Sequence, residues 1–281
     1  MGENMVDTIL DCMASGRENR SIQRAQTAHR LKLASYWEIG QGDRILEIGC
    51  GQGDTTAVLA YLAGKNGFVH GVDVAAPDYG APITLGDSIA YLQNSFLGER
   101  IQVHFETDIL EDANNFPTGY YDCAVLSHCS WYFNSIAKLE ALLYKLRGFA
   151  KKLCFAEWDA NAQRADQIAH FLAVLIQAQY ESYKRDSSSN IRTLLTSSDI
   201  KEIVERTGWQ IEKEASFLSP DLQDGKWETD FVLEAFEEEL QAIEGVPDKF
   251  KALLQSQMKL LETAVRKHPV KPLPVFTLTA K

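Results

Sequence analysis

Short apolar runs alternate along this chain with stretches in which apolar side chains recur every three or four positions. Arg44-Ile45-Leu46-Glu47-Ile48 is the first such run, and it ends in glycines. Phe68 to Val74, Ile101 to Phe105, Asp122 to Leu126 and Leu153 to Glu157 follow. Their near-continuous apolar character predicts strands buried on both faces. Between them, the segment opening at Asp54-Thr55-Thr56, Ser88 to Leu97, and Ile136 to Leu146 carry helical periodicity. Strands separated by helices predict an α/β fold, a doubly wound and mostly parallel sheet.

Both ends of the chain depart from this rhythm. Residues 1–40 read as helical, with Ile22, Ala25, His29 and Leu33 on one face, until Gly40-Gln41-Gly42-Asp43 breaks the pattern. In the last third, Asp166 to Lys184 reads as a long amphipathic helix and Ser187-Ser188-Ser189-Asn190 as a loop. Ser198-Asp199 reads as the cap of a helix that stops at Gly208. Trp209 to Ala215 reads as a strand, about Glu228 to Lys267 as helix, and Val275 to Thr279 as the last strand. The expectation is one domain over 1–281. It comprises an N-terminal helical segment (1–40), a ligand-binding core (41–160) and a C-terminal half (161–281) with a helical insertion at about 222–268.

The 281 residues carry a formal net charge of -11, which repels phosphate backbones and makes nucleic acid a poor default partner. Five cysteines without a CxxC pair suit neither a disulfide framework nor a zinc site, and no metal is expected. Met1 to Val6 lacks the pattern of a signal peptide, and Val6 stands where a myristoylation signal needs Ser or Thr. No apolar run approaches the roughly 18 residues that span a bilayer. These readings predict a cytoplasmic protein without membrane attachment; the oligomeric state stays open.

Chemistry concentrates at Glu47-Ile48-Gly49-Cys50-Gly51-Gln52-Gly53. Glycines in a strand-to-helix turn permit positive φ and let a ligand approach the backbone, with a helix N-terminus aimed into the crevice. Asp73, twenty residues beyond Gly53, ends the second strand, where a carboxylate can accept both hydroxyls of a ribose. A plain turn with a strand-capping aspartate is the bland alternative. Dinucleotide sites space their glycines G-x-G-x-x-G, whereas this loop reads Gly49-x-Gly51-x-Gly53.

That pattern resembles the class I S-adenosylmethionine-dependent methyltransferase superfamily over about residues 40 to 160, and more loosely to the end of the chain. The resemblance implies a seven-stranded sheet with an antiparallel last strand and S-adenosylmethionine as methyl donor. It places the methionine part of the donor at Glu47, Gly49, Cys50, Gly51 and Gly53. Asp73 and Val74 then lie at the ribose, Asp108 and Ile109 at the adenine, and Ser127 beside the transfer site. Asp108-x-x-Glu111 equally fits a helix N-cap with a capping box. Tyr36 and His29 precede the first strand, in a segment that often closes over the donor in this superfamily.

Ser127-His128-Cys129-Ser130-Trp131-Tyr132-Phe133 follows the fourth strand, the edge where open α/β sheets bind ligands. His128 is the candidate catalytic base, or else a histidine satisfied by backbone. Trp131 and Tyr132 line an acceptor pocket or belong to the core; Glu157-Trp158-Asp159 ends the fifth strand facing the crevice, contacting the acceptor or, through its carboxylates, capping the next helix. The segment lacks the Asn/Asp-Pro-Pro-Tyr/Phe motif of many nucleic-acid amino-methyltransferases. Together with the acidity, that points to a small-molecule acceptor. Protein or nucleic-acid methylation, a nicotinamide-dependent dehydrogenase and an idle Rossmann-like binding module are the competing readings. The glutamates of Leu233 to Glu244 read as a solvated helix face, and the helices around them as a lid over the acceptor.

Overall fold

Cys123, Ala124, Val125 and Leu126 are all wholly buried, because this strand is covered by helices on both faces. Cys123 and Val125 enter one hydrophobic cluster, while Ala124 and Leu126 enter another. That is the two-residue alternation of a central strand.

In the computed structural model, which describes residues 2–14, 20–111, 116–184, 187 and 189–281, seven strands form one sheet. They are β1 (Arg44–Ile48), β2 (Phe68–Val72), β3 (Ile101–His104), β4 (Cys123–Ser127), β5 (Leu153–Trp158), β6 (Ile211–Phe217) and β7 (Val275–Ala280). Their order is β3-β2-β1-β4-β5-β7-β6. The first five pair in parallel, and β7 runs antiparallel between β5 and β6. The expected sheet is therefore present.

Helices α1 (Gly2–Leu10), α2 (Arg20–Tyr36) and α3 (Asp54–Ala63) cover one face. Helix α4 (Leu85–Gln93) adds Ile89 and Leu92 to the same cluster. Helices α5 (Ile136–Leu146) and α7 (Ser197–Arg206) cover the other face. Helices α6 (Ile168–Glu181), α8 (Asp224–Ala242) and α9 (Asp248–Lys267) enclose a third apolar cluster containing Ile176, Phe236 and Leu261. None of the described helices is long and apolar enough to cross a membrane. All five cysteines are buried free thiols. The chain leaves β1 and β4 towards opposite faces, so the crevice opens between their C-terminal ends.

Several boundaries differ from the sequence reading. Thr84 caps α4 by accepting from the Asp87 N–H, which starts that helix before Ser88. Thr196, rather than Ser198, caps α7 through a reciprocal box with Asp199. Trp209 leaves the predicted strand because Gly208, at φ +88°, ends α7 and turns the indole into the core, where Nε1 donates to the Leu143 carbonyl. The single helix predicted over about 228–267 is two, divided at Gly245 (φ +71°) and Pro247. The helix expected from Asp166 begins as a 3₁₀ turn at Ala165–Gln167. Residues 1 and 15–19 of the N-terminal stretch and Ser188 of the expected loop lie outside the described residues.

Candidate active site

The glycine loop leaves β1 still tied to β2, since Gly49 and Cys50 both donate to the Val72 carbonyl, at 2.8 and 3.2 Å. Gly49, Gly51 and Gly53 have φ of +70°, +52° and +86°. A Cβ on Gly49 would lie 2.8 Å from Cys129 Cβ, so the loop after β4 presses directly on this turn. A Cβ on Gly51 would meet nothing within 4 Å: here the loop faces open space. Gly53 is the left-handed N-cap of α3.

Asp73 closes the other side. Its Oδ2 accepts the Gly51 N–H at 2.8 Å and its Oδ1 accepts the Ala75 N–H at 2.9 Å. Each oxygen keeps a further acceptor site. Val74 beside it is exposed. Glu47 is buried and joins β1 to α3 by accepting the Thr56 hydroxyl at 2.6 Å. Burial pushes its carboxyl up to about 8, against the opposing pull of Thr56 and Arg30. Cys50 is buried against Gly71. Ile109 belongs to the core, and Asp108 caps a tight turn by accepting the Leu110 N–H at 2.8 Å. Residues 112–115, over which a helix capped by Asp108 would run, lie outside the described residues.

Beyond β4, the His128 N–H donates to the Ala156 carbonyl at 2.8 Å, and His128 itself has φ +54°. Its ring lies 5.0 Å from that of Trp158. Its Nε2 is 3.2 Å from Nε2 of His29 on α2, whose Nδ1 is 2.9 Å from Ser219 Oγ. On the far side, His128 Nδ1 lies 3.6 Å from Glu157 Oε1. His29 is pushed down to about 2 by burial, then by the neighbouring His128, Arg30 and Lys32. It is therefore a neutral imidazole at physiological pH.

Glu157 and Trp131 are both held by partners within the fold. Glu157 Oε2 accepts the Ser130 N–H (2.9 Å) and the Ser130 hydroxyl (2.7 Å), and its Oε1 accepts the Trp158 N–H (3.0 Å). It thus pins the turn after β4 to β5, rather than capping a helix. Trp131 is buried in the core with its indole N–H on the Leu195 carbonyl. Tyr132 is half-exposed, and burial, followed by Glu228 and Glu157, raises its phenol. The Ser127 hydroxyl is buried without a partner among the described residues. Tyr36 lies two turns beyond His29, packed edge-on against Phe217 of β6 at 5.5 Å, with Lys213 over its ring. The structure thus brings His29 to His128 and leaves Tyr36 at the β6 side.

A family described as methyltransferase domain matches residues 19–214, more than half of the chain. The chain belongs to the class I S-adenosylmethionine-dependent methyltransferase superfamily. Among solved structures of this superfamily's fold, a cyclopropane-fatty-acyl-phospholipid synthase-like protein from Lactobacillus casei ATCC 334 is 35% identical. That alignment covers 99% of each chain with a TM-score of 0.88. The methyltransferases phomM' and phomM of Diaporthe leptostromiformis are 29% and 28% identical over 242 residues. These alignments cover 70% of the present chain, which spans about three fifths (61%) of those relatives. A SAM-dependent methyltransferase from Archaeoglobus fulgidus, 16% identical with a TM-score of 0.51 over 94% of this chain and 97% of its own, shares the fold alone.

Against this superfamily background, Ser219 is the residue that sequence reasoning missed. It sits in an unpatterned Leu218-Ser219-Pro220 stretch after β6, and no local signal marks it. His29 carried only the weak signal of a histidine on an apolar helix face.

Proposed function

We propose that this protein transfers the methyl group of S-adenosylmethionine to a small-molecule acceptor and releases S-adenosylhomocysteine. The observation that carries this reading is the junction of two loops at the β1/β4 crevice: the Gly49–Gly53 turn, tied by Gly51 to Asp73, and the His128–Cys129 turn pressed on Gly49. Open space at Gly51 and spare acceptor sites on Asp73 suit the donor's amino-acid and ribose portions. In this reading the adenine goes to Asp108, whose carboxylate accepts only the Leu110 N–H among the described residues. The bound donor supplies a sulfonium-activated methyl carbon. The chain's own work is to align an acceptor at the His29–His128 pair and exclude water.

Three observations support a small acceptor over a polymer. The chain is acidic. Helix α2 lies across the crevice through His29. The start of α8 meets α2 through a Gln26–Asp224 hydrogen bond. The insertion therefore flanks the acceptor side while resting on α6.

Calorimetric titration with S-adenosylhomocysteine, with NAD as control, tests the reading. Saturable one-site binding is expected for the first alone, and Asp73→Ala should abolish most of it. NAD binding, or an Asp73→Ala affinity equal to wild type, would refute the assignment. An acceptor screen should include an unsaturated phospholipid beside soluble small molecules, because the Lactobacillus casei relative is described as cyclopropane-fatty-acyl-phospholipid synthase-like.

A further inference from the structure

We propose that His29 and His128 form a two-histidine relay that removes the acceptor's proton, and that the acceptor therefore presents a hydroxyl group. The proposal rests on the methyl-transfer reading above. It is carried by four side chains from four separate segments in successive contact: Ser219 after β6, His29 on α2, His128 after β4 and Glu157 on β5.

The tautomers follow from the partners. Every hydrogen-bonding contact that Glu157 makes is with a donor: the Ser130 N–H and hydroxyl, the Trp131 N–H at 3.4 Å and the Trp158 N–H. His128 Nδ1 faces the same carboxylate at 3.6 Å, buried and with no hydrogen bond among the described residues. It must carry its proton there, since a bare lone pair would face a carboxylate oxygen. His128 Nε2 is then an acceptor, and the 3.2 Å contact requires a proton on His29 Nε2. His29 Nδ1 is left as an acceptor for the Ser219 hydroxyl at 2.9 Å. Each link points the same way, from the β6 loop inwards to Glu157.

The two imidazoles are unequal. His29 is 4% exposed and has Arg30 and Lys32 on its own helix and His128 opposite, so it cannot retain a second proton. His128 has the Glu157 carboxylate 3.6 Å from its Nδ1 and faces His29 through its Nε2. A proton entering at His29 Nδ1 therefore passes on to His128. The backbone supports a functional reading: His128 occupies the left-handed region at φ +54°, uncommon for a residue other than glycine, immediately before the cysteine that touches Gly49.

The reaction balances. The acceptor hydroxyl takes the position now held by the Ser219 hydroxyl, or passes its proton through it. Its oxygen lone pair bonds to the methyl carbon, and the carbon–sulfur bond breaks with its electron pair moving to sulfur. The hydroxyl proton goes to His29 Nδ1 as the His29 Nε2 proton moves to His128 Nε2. The products are a methyl ether, neutral S-adenosylhomocysteine and a His128 imidazolium beside Glu157. A thiolate or tertiary amine acceptor would leave this apparatus without a task.

Nitrogen-detected NMR of ¹⁵N-histidine-labelled wild-type protein, saturated with S-adenosylhomocysteine, reads the tautomers directly. The expected result is Nε2–H on His29 and Nδ1–H on His128; the reverse pair overturns the relay. The second arm is His29→Gln, whose amide can still donate to His128 Nε2 but cannot pass a proton. It should keep the His128 tautomer and bind S-adenosylhomocysteine within about threefold of wild type. On a panel of phenols and alcohols it should lose about 10²-fold in single-turnover methylation, the low end of general-base effects. Undiminished turnover in His29→Gln, or a panel in which thiols and amines react and hydroxyls do not, overturns the proposal. Failure of wild type to bind S-adenosylhomocysteine would instead refute the methyl-transfer reading, and the tautomer result would stand apart from it.

Discussion

Gly49 and Gly51 permit a paired experiment in which conformational strain and close approach separate. Both have positive φ, +70° and +52°. Forcing an alanine into that region costs about 1–2 kcal/mol at either site. Only Gly49→Ala also drives a methyl to 2.8 Å from Cys129 Cβ, with Cys129 Sγ at 3.4 Å. Cys129 is itself fixed, its thiol bonded to the Ile48 carbonyl at 3.3 Å, so it cannot swing away. Overpacking of that kind adds about 1–3 kcal/mol. Gly49→Ala should therefore lose about 2–5 kcal/mol, and Gly51→Ala about 1–2 kcal/mol. At roughly 2–4 °C per kcal/mol for a chain of this size, the Tm gap between the two variants should be about 2–12 °C. Ligand affinity should rank them in the opposite order, because the Gly51 methyl points into the open space that we assign to the donor. Differential scanning fluorimetry, followed by S-adenosylhomocysteine titration of both variants at a temperature where each is folded, measures the crossover. A Gly51→Ala protein that is less stable than Gly49→Ala, yet binds as wild type does, would refute this account of the loop.

Three further outcomes are expected. Glu47 has its folded-state pKa raised to about 8 by burial, so the unfolded chain ionises it first and stability is lost as pH rises from about 4.5 towards 8. Glu47→Gln should therefore gain Tm relative to wild type across that window, and a pH-independent difference between the two would contradict the burial argument. Glu157→Gln turns an amide towards backbone and hydroxyl donors that now meet an oxygen, and should cost about 2–4 kcal/mol in urea unfolding; loss of the His128 Nδ1–H tautomer should accompany it. With all five thiols buried, native protein should react with an aromatic disulfide reagent slower than unfolded protein by orders of magnitude. Rapid labelling of two or more thiols in the native state would show that the packing is looser than described.

What could be read from residue order alone was whatever depends on near neighbours. Cys123 to Leu126 announces a strand buried on both faces because it has no polar side chain to turn outwards. Gly49, Gly51 and Gly53 announce a turn because only glycine enters positive φ without strain. Asp73 announced itself by standing at a strand end at the right distance from that turn. Element boundaries were less legible where a side chain's partner was remote: Trp209 looks like the start of a strand until α5 presents the Leu143 carbonyl to its indole.

The tertiary structure decided which polar residues share a site and what burial does to them. Glu157 and Trp131 occupy crevice-facing positions in sequence, yet each is held by partners that only the packed fold supplies. Tyr36 and His29 share one helix, but the direction of α2 across the sheet brings only the histidine to the ends of β1 and β4. Residues 29, 128, 157 and 219 are linked by no periodicity, because hydrogen bonding between distant segments is set by how helices and strands pack. The physical reason is one of range. Backbone preference and hydrophobic periodicity act over a few residues and are written in order along the chain. Proton position and charge depend on desolvation and on contacts a few ångströms long, which exist only once the chain has closed on itself.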